Sequence, residues 1–211
     1  TNFNGAVDIS PRDSAYVYYY LPDGNYVSTY YYVPYVTIHL VSAFVNGYVA
    51  PNEAVTAYLK DSSGTTKTTA STTSSSTGYF YTEFWDFATG APYDIFTGDM
   101  IQVVTASTTL DITIPFLSAN VDLESDTISG QALPDMLVEP RVCYVIESWI
   151  GSSCYPIYIT ADPSGYYSAS FSDVHDIRSG DEISVGYTTL EGHLIWDGFY
   201  LPNRVYVDQW K

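Results

Sequence analysis

The chain repeats itself, and the repeat is out of phase with its ends. Asp8-Ile9 through Pro34 aligns without a gap on Asp176-Ile177 through Pro202, a shift of 168 positions. Eight of those 27 positions are identical: Asp8, Ile9, Asp13, Val17, Tyr19, Gly24, Tyr32 and Pro34. A middle copy stands at Asp94-Ile95-Phe96-Thr97-Gly98-Asp99-Met100-Ile101-Gln102-Val103, with six of ten positions matching 176–185. Internal repetition restricts a chain to one supersecondary unit used more than once. Here the sequence starts near the end of one such unit and stops near the start of another. That phase points to a piece of a modular extracellular array, or to a subunit sharing a module with its neighbour.

The repeated unit is made of strands. Val55-Ala57-Leu59, Ile101-Val103, Ile112-Ile114-Phe116 and Ile183-Val185-Tyr187 alternate with polar residues. That is the period of a half-buried strand. Turn residues punctuate the runs: Pro22-Asp23-Gly24, Val45-Asn46-Gly47, Ser62-Ser63-Gly64, Asp162-Pro163-Ser164-Gly165 and Glu191-Gly192. No ten-residue helical stripe occurs. The expected fold is all-β, a tandem of β-sandwich modules.

Matching the copies sets the expected boundaries. Val36-Thr37-Ile38 pairs with Ile112-Thr113-Ile114, Gly47 with Gly130, and Gly78-Tyr79-Phe80 with Gly165-Tyr166-Tyr167. Module one spans 36–110 and module two 111–203. Residues 1–35 match only late strands, making a partial module. Residues 204–211, which include Val205, Tyr206 and Val207, fall where the first strand of a further module would begin. Starting Thr1-Asn2-Phe3 without Met, the sequence is expected to have lost a leader or to be cut from a longer chain.

The charge is lopsided: 7 Lys and Arg against 24 Asp and Glu, a net −17. Such a chain cannot neutralise phosphates, so nucleic acid is not an expected partner. Anionic lipid surfaces are disfavoured for the same reason. No apolar run approaches the ~20 residues of a membrane span, so membrane insertion is not expected. Acidity of this kind keeps an exposed protein soluble. Tyrosine is abundant, 22 of 211 residues. Tyr suits strands, where its ring covers apolar area and its hydroxyl stays wet. Such faces also serve subunit contacts or sugar stacking.

Cys143 and Cys154 flank a stretch that reads as strand, Gly-Ser turn, strand. Both are expected to meet across one hairpin and form a disulfide, two separate buried thiols being the alternative. A bridge implies an oxidising compartment. Residues 64–77 are nearly all Thr and Ser. They are read as a soluble loop tip, and as a place where O-linked glycosylation would fall. No Asn-x-Ser/Thr sequon occurs.

Gly47…Pro51…Val55, then Asp162-Pro163-Ser164-Gly165-Tyr166-Tyr167-Ser168-Ala169-Ser170-Phe171, then Asp176-Ile177-Arg178-Ser179-Gly180-Asp181-Glu182-Ile183-Ser184-Val185 resembles the immunoglobulin-like repeats of prokaryotic cell-surface and extracellular fibre proteins. The resemblance spans both modules and the partial one. It implies sandwiches with Greek-key-like connections that build adhesin stalks, surface arrays and fibres. It carries over no catalytic residue. Cys143 and Cys154 are too close in sequence to be the inter-sheet pair of antibody-type domains.

Enzyme constellations are thin. His39, His175 and His193 form no zinc spacing, and neither a nucleophile elbow nor a phosphate loop occurs. Asp94/Asp99 and Asp176/Asp181, with Asp8/Asp13 in the partial copy, have the look of paired glycosidase carboxylates. Each pair brackets a repeated tight turn, so backbone capping is the simpler reading. These residues, with Asp122 and Asp126 in the run 122–126, are also candidate calcium ligands; no other cofactor is expected.

The expected function is a non-enzymatic structural subunit of an extracellular filament or cell-surface array. Copies of the chain would join head to tail by β-strand sharing, with Val205-Tyr206-Val207 as the joining strand. The alternative is an adhesin or carbohydrate-binding stalk module, in which Trp149, Trp196 and Tyr200 stack on glycans.

Overall fold

The computed structural model describes residues 9–145 and 152–201. All regular structure in them is β, with no helix. The chain divides into two compact units, Thr1–Ile114 with Thr188–Ile195, and Pro115–Tyr187 with Trp196–Lys211.

In the first unit, β1 (Ser14–Tyr20) and β2 (Tyr26–Tyr32) form a two-stranded hairpin. A sandwich follows. One sheet has the order β3-β4-β7, from β3 (Tyr35–His39), β4 (Phe44–Tyr48) and β7 (Tyr79–Glu83). The other has the order β11-β10-β5-β6, from β5 (Ala54–Lys60), β6 (Thr66–Thr73), β10 (Met100–Val104) and β11 (Thr109–Thr113). Between β7 and β10 lies a small hairpin of β8 (Trp85–Asp86) and β9 (Ala91–Pro92). Alternation places Val36 and Ile38, Val45, Phe80, Val55, Ala57 and Leu59, Ile101 and Val103, and Ile112 inside. These buried rows are the core.

The second unit has one sheet of order β12-β13-β17, from β12 (Asn120–Asp122), β13 (Thr127–Gln131) and β17 (Tyr166–Ser170). The other runs β15-β14-β18-β19, from β14 (Leu137–Val145), β15 (Ser152–Pro156), β18 (Glu182–Thr188) and β19 (Leu194–Tyr200). A short β16 (Ile159–Thr160) also pairs with β14. The end of β18, its turn and the start of β19 group with the first unit. Ile128, Val138, Val142, Tyr167, Ala169, Ile183 and Val185 are buried. Strand for strand, β12, β13, β14, β15, β17, β18 and β19 take the places of β3, β4, β5, β6, β7, β10 and β11.

Close backbone approach explains two of the matched glycines. A Cβ on Gly47 would lie 2.1 Å from the Tyr35 carbonyl oxygen, and one on Gly130 1.9 Å from that of Ser118. No side chain fits there.

Four expectations are corrected. Val45-Asn46-Gly47 is not a turn but lies inside β4, where Val45 and Gly47 alternate inward. Val36-Thr37-Ile38 lies on β3, whose counterpart is β12, whereas Ile112 and Thr113 lie on β11, the partner of β10. Residues 66–73 of the Thr/Ser tract are not a loop tip: they form β6, in register with β5 from Ala54↔Thr73 to Lys60↔Thr66. Threonine is β-branched and favours the extended backbone even in a polar run. Phe116 does not continue the buried alternation of Ile112 and Ile114. β11 ends at Thr113, and Phe116 is exposed.

Candidate functional site

The β1–β2 hairpin is the feature the two sandwiches do not account for. Its tip is fixed locally. Gly24 takes φ 87°, Asn25 N–H donates to the Asp23 carboxylate at 3.0 Å, and Leu21 N–H donates to the Asn25 carbonyl at 2.7 Å. Hydrogen bonds to Asn25 hold the Asp23 carboxyl below the usual carboxylate range.

The register, Ser14↔Tyr32 through Tyr20↔Tyr26, sorts the side chains onto two faces. One carries Tyr16, Tyr18, Tyr20, Tyr26, Tyr30 and Tyr32. Its rings touch: Tyr16–Tyr30 at 5.9 Å and Tyr18–Tyr26 at 5.8 Å between centroids. The row continues onto the outer face of β3-β4-β7 through Tyr32–Tyr48 at 4.2 Å and Tyr48–Tyr79 at 5.5 Å.

The other face carries Ala15, Val17, Tyr19, Val27, Thr29 and Tyr31. At the shift of 168 residues, β1 and β2 coincide end for end with β18 and β19. Ala15, Val17, Tyr19 and Val27 then stand where Ile183, Val185, Tyr187 and Ile195 stand. Those four are buried, whereas Val17, Tyr19 and Val27 are 59%, 66% and 61% exposed. The hairpin therefore presents a core-type face to solvent.

The repeated acidic turn is a structural device. In all three copies the second aspartate accepts the N–H three residues before it. Ser10 donates to Asp13 at 2.8 Å, Phe96 to Asp99 at 2.9 Å, and Arg178 to Asp181 at 2.8 Å. Asp99 and Asp181 are buried. Lys67 Nζ pairs with Asp99 at 2.9 Å, and His175 Nε2 with Asp181 at 2.9 Å. Asp94 and Asp176 are exposed. Asp94 contributes its carbonyl to Lys67 at 2.7 Å, and the Asp176 carboxylate pairs with Arg178 at 2.7 Å. The carboxylates of Asp94/Asp99 and of Asp176/Asp181 thus have separate duties, one in a buried turn and one at the surface.

Asp122 and Asp126 are likewise engaged. The Glu124 N–H donates to Asp122 at 2.9 Å, and that bond leads in holding its carboxyl below the usual range. Asp126, at φ 49°, accepts the Ile177 N–H at 2.8 Å. Among the described residues, no three His, Cys, Asp or Glu side chains gather as a ligand set.

Cys143 and Cys154 face each other across β14 and β15 and are disulfide-bonded, with Cα atoms 4.1 Å apart. The histidines are built into packing. His39 stacks on Phe44 at 3.8 Å, and His175 stacks on Tyr144 at 4.6 Å. Buried His193 accepts the Val36 N–H on Nδ1 at 3.2 Å. Burial pushes the His193 pKa down.

Of the aromatics expected to meet glycans, Trp196 lies under the Arg141 guanidinium at 4.2 Å, with Gly186 leaving room for its ring. Tyr200 is exposed. Trp149 and the expected joining residues Val205, Tyr206 and Val207 lie outside the described residues, as does Asp8. Exposed rings that sequence reasoning passed over stand on the inserted β8–β9 hairpin: Trp85 and Phe87.

No protein-family model and no curated protein matches the chain. Among solved structures, it is similar to a tetra-tandem repeat from the extending region of a large adhesion protein, at 16% identity and TM-score 0.32, covering 88% of this chain and 55% of that one. It is also similar to Escherichia coli α2-macroglobulin, at 11% identity and TM-score 0.25, covering 92% and 16%. A 1.5-MDa bacterial ice-binding adhesin is similar at 13% identity and TM-score 0.21, covering 90% and 73%. The chain thus spans about half of the first of these and about a sixth of the second. Scores this low leave the functional reading to the chain's own residues.

Proposed function

We propose that this chain is a structural segment of an extracellular filament or cell-surface array, assembled from immunoglobulin-like sandwiches and joined head to tail by strand sharing. One observation carries the reading: the β1–β2 hairpin exposes Val17, Tyr19 and Val27, whose counterparts in β18 and β19 are buried. An apolar sheet face whose strand edges have no further strand among the described residues is a template for another polypeptide. A neighbouring copy is the partner with matching chemistry, since it carries the same repeated strands, and 204–211 is the donor segment. Contacts that repeat in one direction build an open chain.

Three further features support the reading. The Cys143–Cys154 bridge fits an oxidising, extracellular setting. The net charge of −17 fits a solvated surface protein. The repeated aspartates are engaged in turns and ion pairs, so the role is structural and not enzymatic.

The test is deletion of residues 204–211 with assembly followed by light scattering and electron microscopy. The full chain should form polymers and the truncated chain only monomers, with the cooperative melting of the sandwiches kept. Polymers of undiminished length from the truncated chain would sink the proposed joint.

A further inference from the structure

The β7-to-β10 connection differs between the two units. Five residues separate Phe171 from Ile177 in the second unit, and ten separate their counterparts Phe84 and Ile95 in the first. The extra residues form the β8–β9 hairpin. It is locally well made: Tyr93 N–H donates to the Phe84 carbonyl at 2.9 Å, and Gly90 N–H to that of Asp86 at 2.8 Å. One of its two rings does little for the fold, and the other is partly exposed. Phe87 is 92% exposed and Trp85 40%. A large apolar side chain held in water, as Phe87 is, contributes almost nothing to stability, and with a second partly exposed ring beside it such surface marks a binding site.

The two rings border a cleft of about 530 Å³. Its remaining walls are mostly polar: Thr69 and Ser71 from β6, and Thr82 and Glu83 from β7. Both strands are the outermost of their sheets, so the cleft opens where the sandwich is not closed by pairing. The Glu83 carboxylate takes the Tyr81 hydroxyl on one oxygen, which fixes its orientation and leaves the other oxygen as an acceptor.

We propose that this cleft binds a neutral saccharide, in a function beyond the structural one. Planar rings accept the C–H faces of a sugar, while hydroxyls and one carboxylate receive its O–H groups. The polarity of the walls disfavours apolar and acidic ligands. An apolar ligand would desolvate Glu83 and the hydroxyls without pairing them. An acidic ligand would meet Glu83 with no basic residue in the lining, on a chain of net charge −17.

The experiment applies the full chain, and its Trp85→Ala and Phe87→Ala variants, to an array of neutral oligosaccharides, acidic oligosaccharides and basic peptides. The wild type should retain one or more neutral glycans. Each variant should lose roughly tenfold or more of that signal, and Phe87→Ala should do so with an unchanged melting temperature because its ring is almost wholly exposed. The proposal is overturned if no neutral glycan is retained, if the variants retain it equally, or if acidic glycans or basic peptides are bound in its place.

Discussion

Gly47 shows at single-residue scale how a repeated letter acquires physical meaning. Its Cα faces the Tyr35 carbonyl so closely that one added methyl has nowhere to go. Gly47→Ala should lower stability by roughly 1–3 kcal/mol, read as a shift in the urea midpoint of the full chain. His193 makes a second prediction, with a sign that follows from burial. Its folded pKa lies below the unfolded value, near 6.5. Above about pH 6.5 both states are neutral and its contribution is complete. As pH falls below that, the unfolded chain takes a proton the folded chain resists, so stability falls. Protonation also removes the Nδ1 lone pair that accepts the Val36 N–H. His193→Gln should flatten the pH dependence of the melting temperature between about pH 6.5 and pH 5. The matched glycines were legible in sequence because a backbone contact tolerates a single residue type. The role of His193 was not, because its partner is a main-chain group 157 positions away.

At the scale of elements, hairpins are the most readable parts of this chain. The bridge between Cys143 and Cys154 closes a short loop within one strand pair. Its reduction should cost about 2–3 kcal/mol in the chain-entropy model, seen as a lower urea midpoint in reducing buffer with the far-ultraviolet spectrum kept. The β1–β2 hairpin makes the opposite kind of prediction. Val17 and Val27 are exposed, so the double variant Val17→Lys, Val27→Lys should leave the melting of the sandwiches within about 0.5 kcal/mol of wild type. The same variant should abolish assembly, because charge would be buried on any face that covers the hairpin. Polymers from the double variant, observed by electron microscopy, would show that this face is not the joint. The strand β6 was harder to read. A run of Thr and Ser has no hydrophobic alternation, and its extended form is decided by the ladder that β5 offers.

For the molecule as a whole, charge governs how copies meet. Each brings a net −17, so their approach is opposed by repulsion that salt screens. Assembly should therefore be faster at about 0.3 M salt than at about 0.02 M, where the screening length is several times greater. Light scattering against ionic strength checks this; an association that weakens with salt would mean that charge pairs, not apolar faces, form the joint.

Sequence by itself determined the all-β class, the positions of the main alternating strands, the recurring Asp-Ile-x-x-Gly-Asp turn and the hairpin that brings the cysteines together. Each of these is local: an alternation of period two, a carboxylate three residues from the N–H it accepts, or two strands joined by one turn. Only the tertiary structure decided that Asp99 meets Lys67 while Asp181 meets His175, that Trp196 packs against Arg141, and that Trp85 and Phe87 border an open cleft. Those outcomes depend on which strands lie edge to edge and face to face, and contacts between residues far apart in sequence leave no periodic trace in it. The out-of-phase repeat belongs to both levels. Its letters show that 8–34 copies a late part of the unit, and the fold shows that Val17, Tyr19 and Val27 stand exposed where their counterparts are buried.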